Sequence, residues 1–223
     1  MSEGVKGFGY YAWKPEIIAQ ALADLTNGDV LVYMDAGSHL RRAGLARFDE
    51  YVALCRTSRS GLLAFQTDWP EFEWTKGDLL DHLDVRHNPR ITRSGQIQTG
   101  LIFMRKSSVT VGFVNDWNSI FHISRALIDD SPSESRNLPG FRSHRHDQSV
   151  FSILAKSRNI ELLSAQEQNW FGRGYDPIIA KKMPVQHRRD RPGHRSKTLK
   201  FRLRRRRAAL DRLLGSVKSR YFS

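Results

Sequence analysis

Five consecutive apolar residues, Val30 to Met34, run straight into an acid in the stretch "VLVYMDAG". An unbroken apolar run suits a β-strand covered on both faces, as in a parallel α/β sheet, because a strand with one wet face alternates instead. The residues before it agree. Pro15 suits the first turn of a helix, "EIIAQALADL" places Ile17 or Ile18, Ala21 or Leu22, and Leu25 at helical spacing, and Asn27-Gly28 tolerates the left-handed geometry that closes a helix. Helix, short turn and strand make an αβ unit. In doubly wound sheets ligands gather outside the carboxyl ends of the strands, where Asp35 stands ready to hold a cation or a sugar hydroxyl. Asp-x-Gly is equally ordinary turn chemistry, so these residues alone leave both roles open.

Further along, the pattern predicts a helix over Phe48–Arg56, a strand at "GLLAFQ", a short helix over Lys76–Leu83 capped by Thr75, and a strand over Gly100–Arg105. A helix is expected around "VTVGFVNDWNSIFHISRALI", then a long polar loop over 129–146. Asp147 is the expected N-cap of the helix "QSVFSILAKS", with Val150, Phe151 and Leu154 facing the core, and "IELLS" reads as a last strand. The fold class expected is α/β: a mostly parallel, Rossmann-like sheet flanked by helices over residues 1–180, with a basic tail over 181–223.

Charge supports that division. From Lys181 onward the chain holds 16 of its 36 Lys and Arg but two of its 23 acids, so the body, with 20 basic and 21 acidic residues, is nearly neutral. The net charge of +13 therefore gives no ground for polyanion binding by the body. Leu199, Leu203, Leu210, Leu213, Leu214, Val217 and Tyr221 fall near one helical face of the tail. A basic amphipathic helix over 196–222 suits an anionic membrane surface; a solvated tail and contact with nucleic acid, the least favoured partner, are the alternatives. One cysteine, Cys55, excludes an internal disulfide framework, and no apolar segment is long enough for a secretory signal or a membrane span. A cytoplasmic protein, peripheral on the inner membrane face, is the expectation.

Four stretches fall at loop edges of one sheet: Trp13-Lys14-Pro15, Tyr33-Met34-Asp35-Ala36-Gly37, Gln98-Thr99-Gly100 and His144-Arg145-His146-Asp147-Gln148-Ser149. In this order and at these separations they resemble glycosyltransferase-like proteins of bacterial polysaccharide clusters that have the GT-A fold. The resemblance covers roughly residues 4–165. It implies a transferase that moves a sugar from a nucleotide-sugar donor to a glycan or lipid-linked acceptor. A non-catalytic interaction protein with the same body is the alternative. In the family a βαβ segment carrying the base pocket precedes the Trp-Lys-Pro region, so the expectation is an N-terminally shortened relative with an open sheet edge, or a start upstream of Met1.

The resemblance also implies a divalent cation, Mn²⁺ or Mg²⁺, bridging the phosphates through an Asp-x-Asp motif. Gly37 stands at the third position, leaving Asp35 as the one carboxylate, with His187 as the implied second metal ligand. A metal-independent alternative has Lys14, Arg188 or Arg189 offset phosphate charge. Lys14, Asp35, Gly37, Gln98 and Gly100 are the implied donor-binding residues. Asp147, assisted by Gln148, is the implied catalytic acid near the transferred sugar. His144 and His146 either titrate near neutrality or line the loop, and Tyr10, Tyr11 and Trp13 either stack on a ligand or join the core.

Overall fold

The computed structural model describes residues 7–168 and 182–187. The strands are β1 (Val30–Met34), β2 (Ser38–Leu40), β3 (Leu62–Pro70), β4 (Gly95–Arg105), β5 (Glu161–Ser164) and β6 (Val185–His187). Four of them form the central sheet in the order β1-β4-β3-β5, and β2 pairs with β6 in a separate ribbon. The helices are α1 (Trp13–Ala23), α2 (Leu45–Thr57), α3 (Glu71–Trp74), α4 (Gly77–His82), α5 (Pro89–Thr92), α6 (Ser108–Ile123) and α7 (Asp147–Ser157).

The expected mostly parallel sheet is corrected to a mixed one. β4 runs antiparallel to both β1 and β3, and only β5 is parallel to its neighbour β3. An apolar run reports that both faces of a strand are covered, whereas direction is set by the connection. Between β3 and β4 the chain forms only the short helices α3, α4 and α5. Without a long crossover it re-enters the sheet from the end it left, which makes the neighbours antiparallel. β1 is indeed covered on both faces. Leu31 and Tyr33 pack with Ile18, Leu22, Ile102, Met104, Trp117 and Phe151 on the side of α1, α6 and α7, while Val30, Val32 and Met34 pack with Tyr51, Cys55, Leu101 and Phe103 on the side of α2. Two apolar cores on one sheet make a three-layer α/β/α body.

The register places the site. Leu63 is opposite Phe103 and Phe65 is opposite Gln98, so Ala64 alone stands against the four β4 residues Thr99–Ile102. This wide bulge carries β4 away from β3 and toward β1, where the Asp35 N–H donates to the Gly100 carbonyl at 2.9 Å. Bulges of this kind re-aim side chains beside functional sites.

Two caps differ from expectation. Thr75 does not cap α4; its hydroxyl donates to Glu71 at 2.6 Å, and Lys76 is the N-cap. Asp147 does not cap α7 either, because His146, at φ 53°, occupies that position and Asp147 is the first helical residue. The chain divides into a compact unit ending at Gln186 and a second beginning at His187. Beyond His187, the tail expected over 196–222 lies outside the described residues, as do Arg188 and Arg189. Among the described residues no helix is long and apolar enough to cross a membrane.

Candidate functional site

α1 carries Lys14 into the body, where it is 3% exposed. Its ammonium lies 2.7 Å from Asp147 Oδ2 and 3.6 Å from Asp35 Oδ1. It donates to the Thr99 hydroxyl at 3.1 Å and to the Thr99 carbonyl at 3.4 Å. The rings of Tyr11 and Tyr33 lie 5.5 and 5.3 Å from it. Burial of an ammonium costs several kcal/mol unless it is paired and its protons find acceptors, and here Asp147 and Thr99 supply both. The Thr99 hydroxyl also donates to Asp147 Oδ2 at 2.9 Å, so the bulge of β4, the first turn of α1 and the start of α7 close one network. Residues 14, 35, 99 and 147, distant in the chain, thus share one cation.

The two acids differ in what they offer. Asp147 is almost sealed, with its side chain 5% exposed. Burial pushes its carboxyl pKa up, and Lys14 and the Thr99 hydroxyl pull it back. Asp35 is 35% exposed. Its carbonyl accepts the Ser38 N–H at 2.9 Å, so it does begin a turn, with Gly37 inside it. Its Oδ1 accepts the Tyr33 hydroxyl at 2.9 Å, whereas no described residue hydrogen-bonds its Oδ2. Burial and the Asp35 charge raise the Tyr33 phenol above its ordinary range, keeping it a donor. Asp35 therefore serves as turn residue through its backbone and presents a free carboxylate oxygen through its side chain.

The remaining expected residues are distributed less evenly. Gly100 sits in the bulge, and the buried Gln98 Oε1 accepts no hydrogen bond from the described residues. Gln148 donates to Gln96 Oε1 at 2.6 Å, which ties its amide into a structural network rather than leaving it free for a ligand. His187 ends β6. Among the described residues no three His, Cys, Asp or Glu side chains converge as a metal site. The acid nearest to Asp35 in this network is turned to Lys14, so the described residues do not by themselves form a cage for a resident divalent cation.

His144 does not titrate near neutrality. Burial, reinforced by the neighbouring His146 and Lys76, lowers its pKa to about 3, and its Nδ1 accepts the Lys76 N–H at 3.3 Å. The ring of His146 meets that of Tyr10 at 4.9 Å, and its Nδ1 lies 2.7 Å from the Ile128 carbonyl. The tyrosines of "GFGYY" reach this ring by a left-handed run, Gly7 to Tyr11, with φ between 54° and 95°.

Two buried cations were missed by the sequence reading. Lys76, 2% exposed, ties down the 129–146 loop through the Asp129 and Ser131 carbonyls, each at 3.3 Å. Lys156 meets the fully buried Glu71 at 2.7 Å. The partners stand 53 and 85 residues apart in the chain, so no local pattern links either pair. Clefts are present elsewhere among the described residues. One of about 320 Å³ is lined by Gln66–Asp68 and Leu162–Gln166, at the carboxyl ends of β3 and β5. Another, about 290 Å³, is lined by Lys76, Asp129–Ser133 and Phe141–His144 among others. Lys14, Asp35 and Asp147 line neither.

The architecture is that of an α/β protein with a mixed sheet and flanking helices. No known family matches the chain, and no curated protein matches it. Among solved structures, mouse xyloside xylosyltransferase 1 in its apo form is similar at 11% identity with a TM-score of 0.36, over 82% of this chain and 66% of that one. The chain thus covers just under two thirds of that structure.

Proposed function

We propose that the protein is a glycosyltransferase that takes a sugar from a nucleotide donor and passes it to a glycan or lipid-linked acceptor. The observation that supports this best is the pairing of a half-open carboxylate with a sealed one across a shared lysine: Asp35 and Asp147 on Lys14, at 3.6 and 2.7 Å. Tyr33 and Lys14 fix Oδ1 of Asp35 and leave Oδ2 to accept hydroxyls of the donor's ribose or sugar. A fixed charged acceptor of this kind is worth more than a mobile one, because its orientation is settled before the ligand arrives. Asp147 acts at one remove as a positioning residue that holds Lys14. The bulge of β4 at Thr99–Ile102 brings the Gly100 carbonyl to the Asp35 N–H, close to the same place. No step in this scheme runs through a metal ion.

The test is a panel of nucleotide sugars offered to the full chain, read by saturation-transfer NMR for binding and by release of the nucleoside diphosphate for transfer or hydrolysis. Asp35→Asn preserves size and removes the charged acceptor. A drop in affinity of about tenfold or more is expected, the worth of one charge-assisted hydrogen bond. Binding of no sugar nucleotide by the native chain, or equal binding by Asp35→Asn, would overturn the proposal.

A further inference from the structure

Lys14 cannot attract an anion, because its single positive charge lies between two carboxylates. Another cation is better placed. The guanidinium carbon of Arg145 lies 4.4 Å from the ring centre of Trp74 and 5.1 Å from that of Trp69, and the two indoles are themselves 5.1 Å apart at 33°. Its backbone is held without any ligand: the Arg145 N–H lies 3.1 Å from the Trp74 carbonyl and 3.2 Å from the Ser149 hydroxyl, and its carbonyl accepts the Gln148 N–H at 3.1 Å. Arginine stacks on aromatic faces while keeping its planar fork of donors at the edge.

What sets Arg145 apart is that no counter-charge meets it among the described residues. Arg47 lies over Tyr51 and is paired with Glu50 and Glu167, Arg142 lies over Trp74 and is paired with Glu73, and Arg158 lies over Phe113 and is paired with Asp116. Arg125, over Tyr10, has no such partner among the described residues but is exposed, so water serves it. Arg145 is partly buried, and no carboxylate or carbonyl of the described residues accepts from its guanidinium. Burial lowers its pKa, and no neighbouring acid opposes that shift. The indole N–H of Trp74, also buried and without an acceptor among the described residues, leaves a second unmet donor nearby. Neighbours of the stack in the chain line both clefts, Asp68 the larger and Arg142–His144 the smaller.

We propose that Arg145, braced by Trp69 and Trp74, binds an oxyanion of the ligand, a phosphate or a carboxylate. A preformed guanidinium fork matches either group through two parallel hydrogen bonds. That this oxyanion belongs to the substrate rests on the transferase reading: a phosphate would come from the nucleotide donor, a carboxylate from an acidic sugar of the acceptor.

The experiment titrates the full chain with inorganic pyrophosphate, uridine diphosphate and glucuronate, each by calorimetry and by tryptophan fluorescence. Arg145→Gln is expected to weaken the preferred anion by about tenfold or more, and Arg145→Lys, which keeps the charge but not the fork, by less. Arg158→Gln, which removes a ring-stacked arginine elsewhere, should leave binding unchanged. Preference for the two phosphate compounds assigns a phosphate, and preference for glucuronate assigns a carboxylate. Should Arg145→Gln fail to fold, Arg145→Lys and the native titration still decide. The proposal falls if none of the three anions binds the native chain or shifts its tryptophan emission, or if either Arg145 variant binds like the native protein. Because pyrophosphate carries no sugar, its binding and the loss at Arg145 stand or fall separately from sugar transfer and Asp35.

Discussion

Replacing Lys14 by Met removes the cation that Asp147 was buried against. Lys14 and Asp147 are 3% and 5% exposed at the side chain, so solvent screens the pair little. Breaking a buried pair by deleting one partner typically costs about 3–5 kcal/mol, since the surviving charge has lost its counter-ion but not its burial. For a chain of this size that corresponds to a fall in melting temperature of about 10 °C. The remaining carboxyl then escapes the cost by taking up a proton. Its folded-state pKa, already pushed up by burial, rises further once the opposing lysine is gone. An acid whose folded pKa lies above its unfolded value destabilises the fold as pH rises between the two, so Lys14→Met should recover stability as pH is lowered from 7 toward 5. Native protein, with the lysine opposing that shift, should recover less over the same interval. Urea unfolding followed by circular dichroism at pH 7 and pH 5 measures both effects. The double variant Lys14→Met/Asp147→Asn, which removes both charges, should lie within about 2 kcal/mol of native because neutral replacement of both partners is far cheaper than orphaning one. A single-variant cost below about 1 kcal/mol at pH 7, with no gain on acidification, would refute the reasoning and with it the view of Asp147 as the residue that holds Lys14.

Other consequences are simpler to check. His144, with its folded pKa held to about 3 against an unfolded value near 6.5, favours the neutral ring in the fold. Its contribution is therefore complete above about pH 6.5 and declines as pH falls toward 3; its imidazole signals should not titrate between pH 8 and pH 5 by NMR, and a midpoint near neutrality would contradict the burial. An added methyl at Gly95 would meet the Thr67 carbonyl oxygen at 1.7 Å. Gly95→Ala should cost about 3 kcal/mol or more of stability, measured by urea unfolding, because β3 and β4 must separate to admit it. Cys55 is fully buried, with its thiol pKa raised to about 11 by burial. It should react with a thiol reagent only in denaturant, and rapid labelling of native protein would place it elsewhere.

The elements that announced themselves in the chain are those with local causes. The helix at Pro15 rests on 3.6-residue spacing, β1 on an apolar run, and the helix after His146 on Val150, Phe151 and its neighbours; each is present as α1, β1 and α7, although α1 ends at Ala23 with Asp24 as its C-cap, and Asn27-Gly28 forms a separate turn into β1 instead of closing the helix. The placement of Asp35 at the end of β1 also follows from local pattern, and the turn it was expected to begin is present. The two caps differ because a threonine or aspartate before a helix signals capping only when no other group, near or far in the chain, competes for it. Here Glu71 takes the Thr75 hydroxyl, and Lys14 and Thr99 take Asp147.

Apolar period and the end of a strand are properties of neighbouring residues, and the sequence by itself determined them. Strand direction, the bulge opposite Ala64 and the meeting of Lys14 with Asp147 belong to the tertiary structure alone. So do the bracing of Arg145 by two tryptophans and the burial of Glu71 with Lys156. Each depends on groups far apart in the chain sharing a space from which water is removed, and desolvation converts an ordinary surface charge into one that must find a partner. Which partner it finds is decided by which segments the fold brings within about 3 Å, a quantity no local pattern encodes.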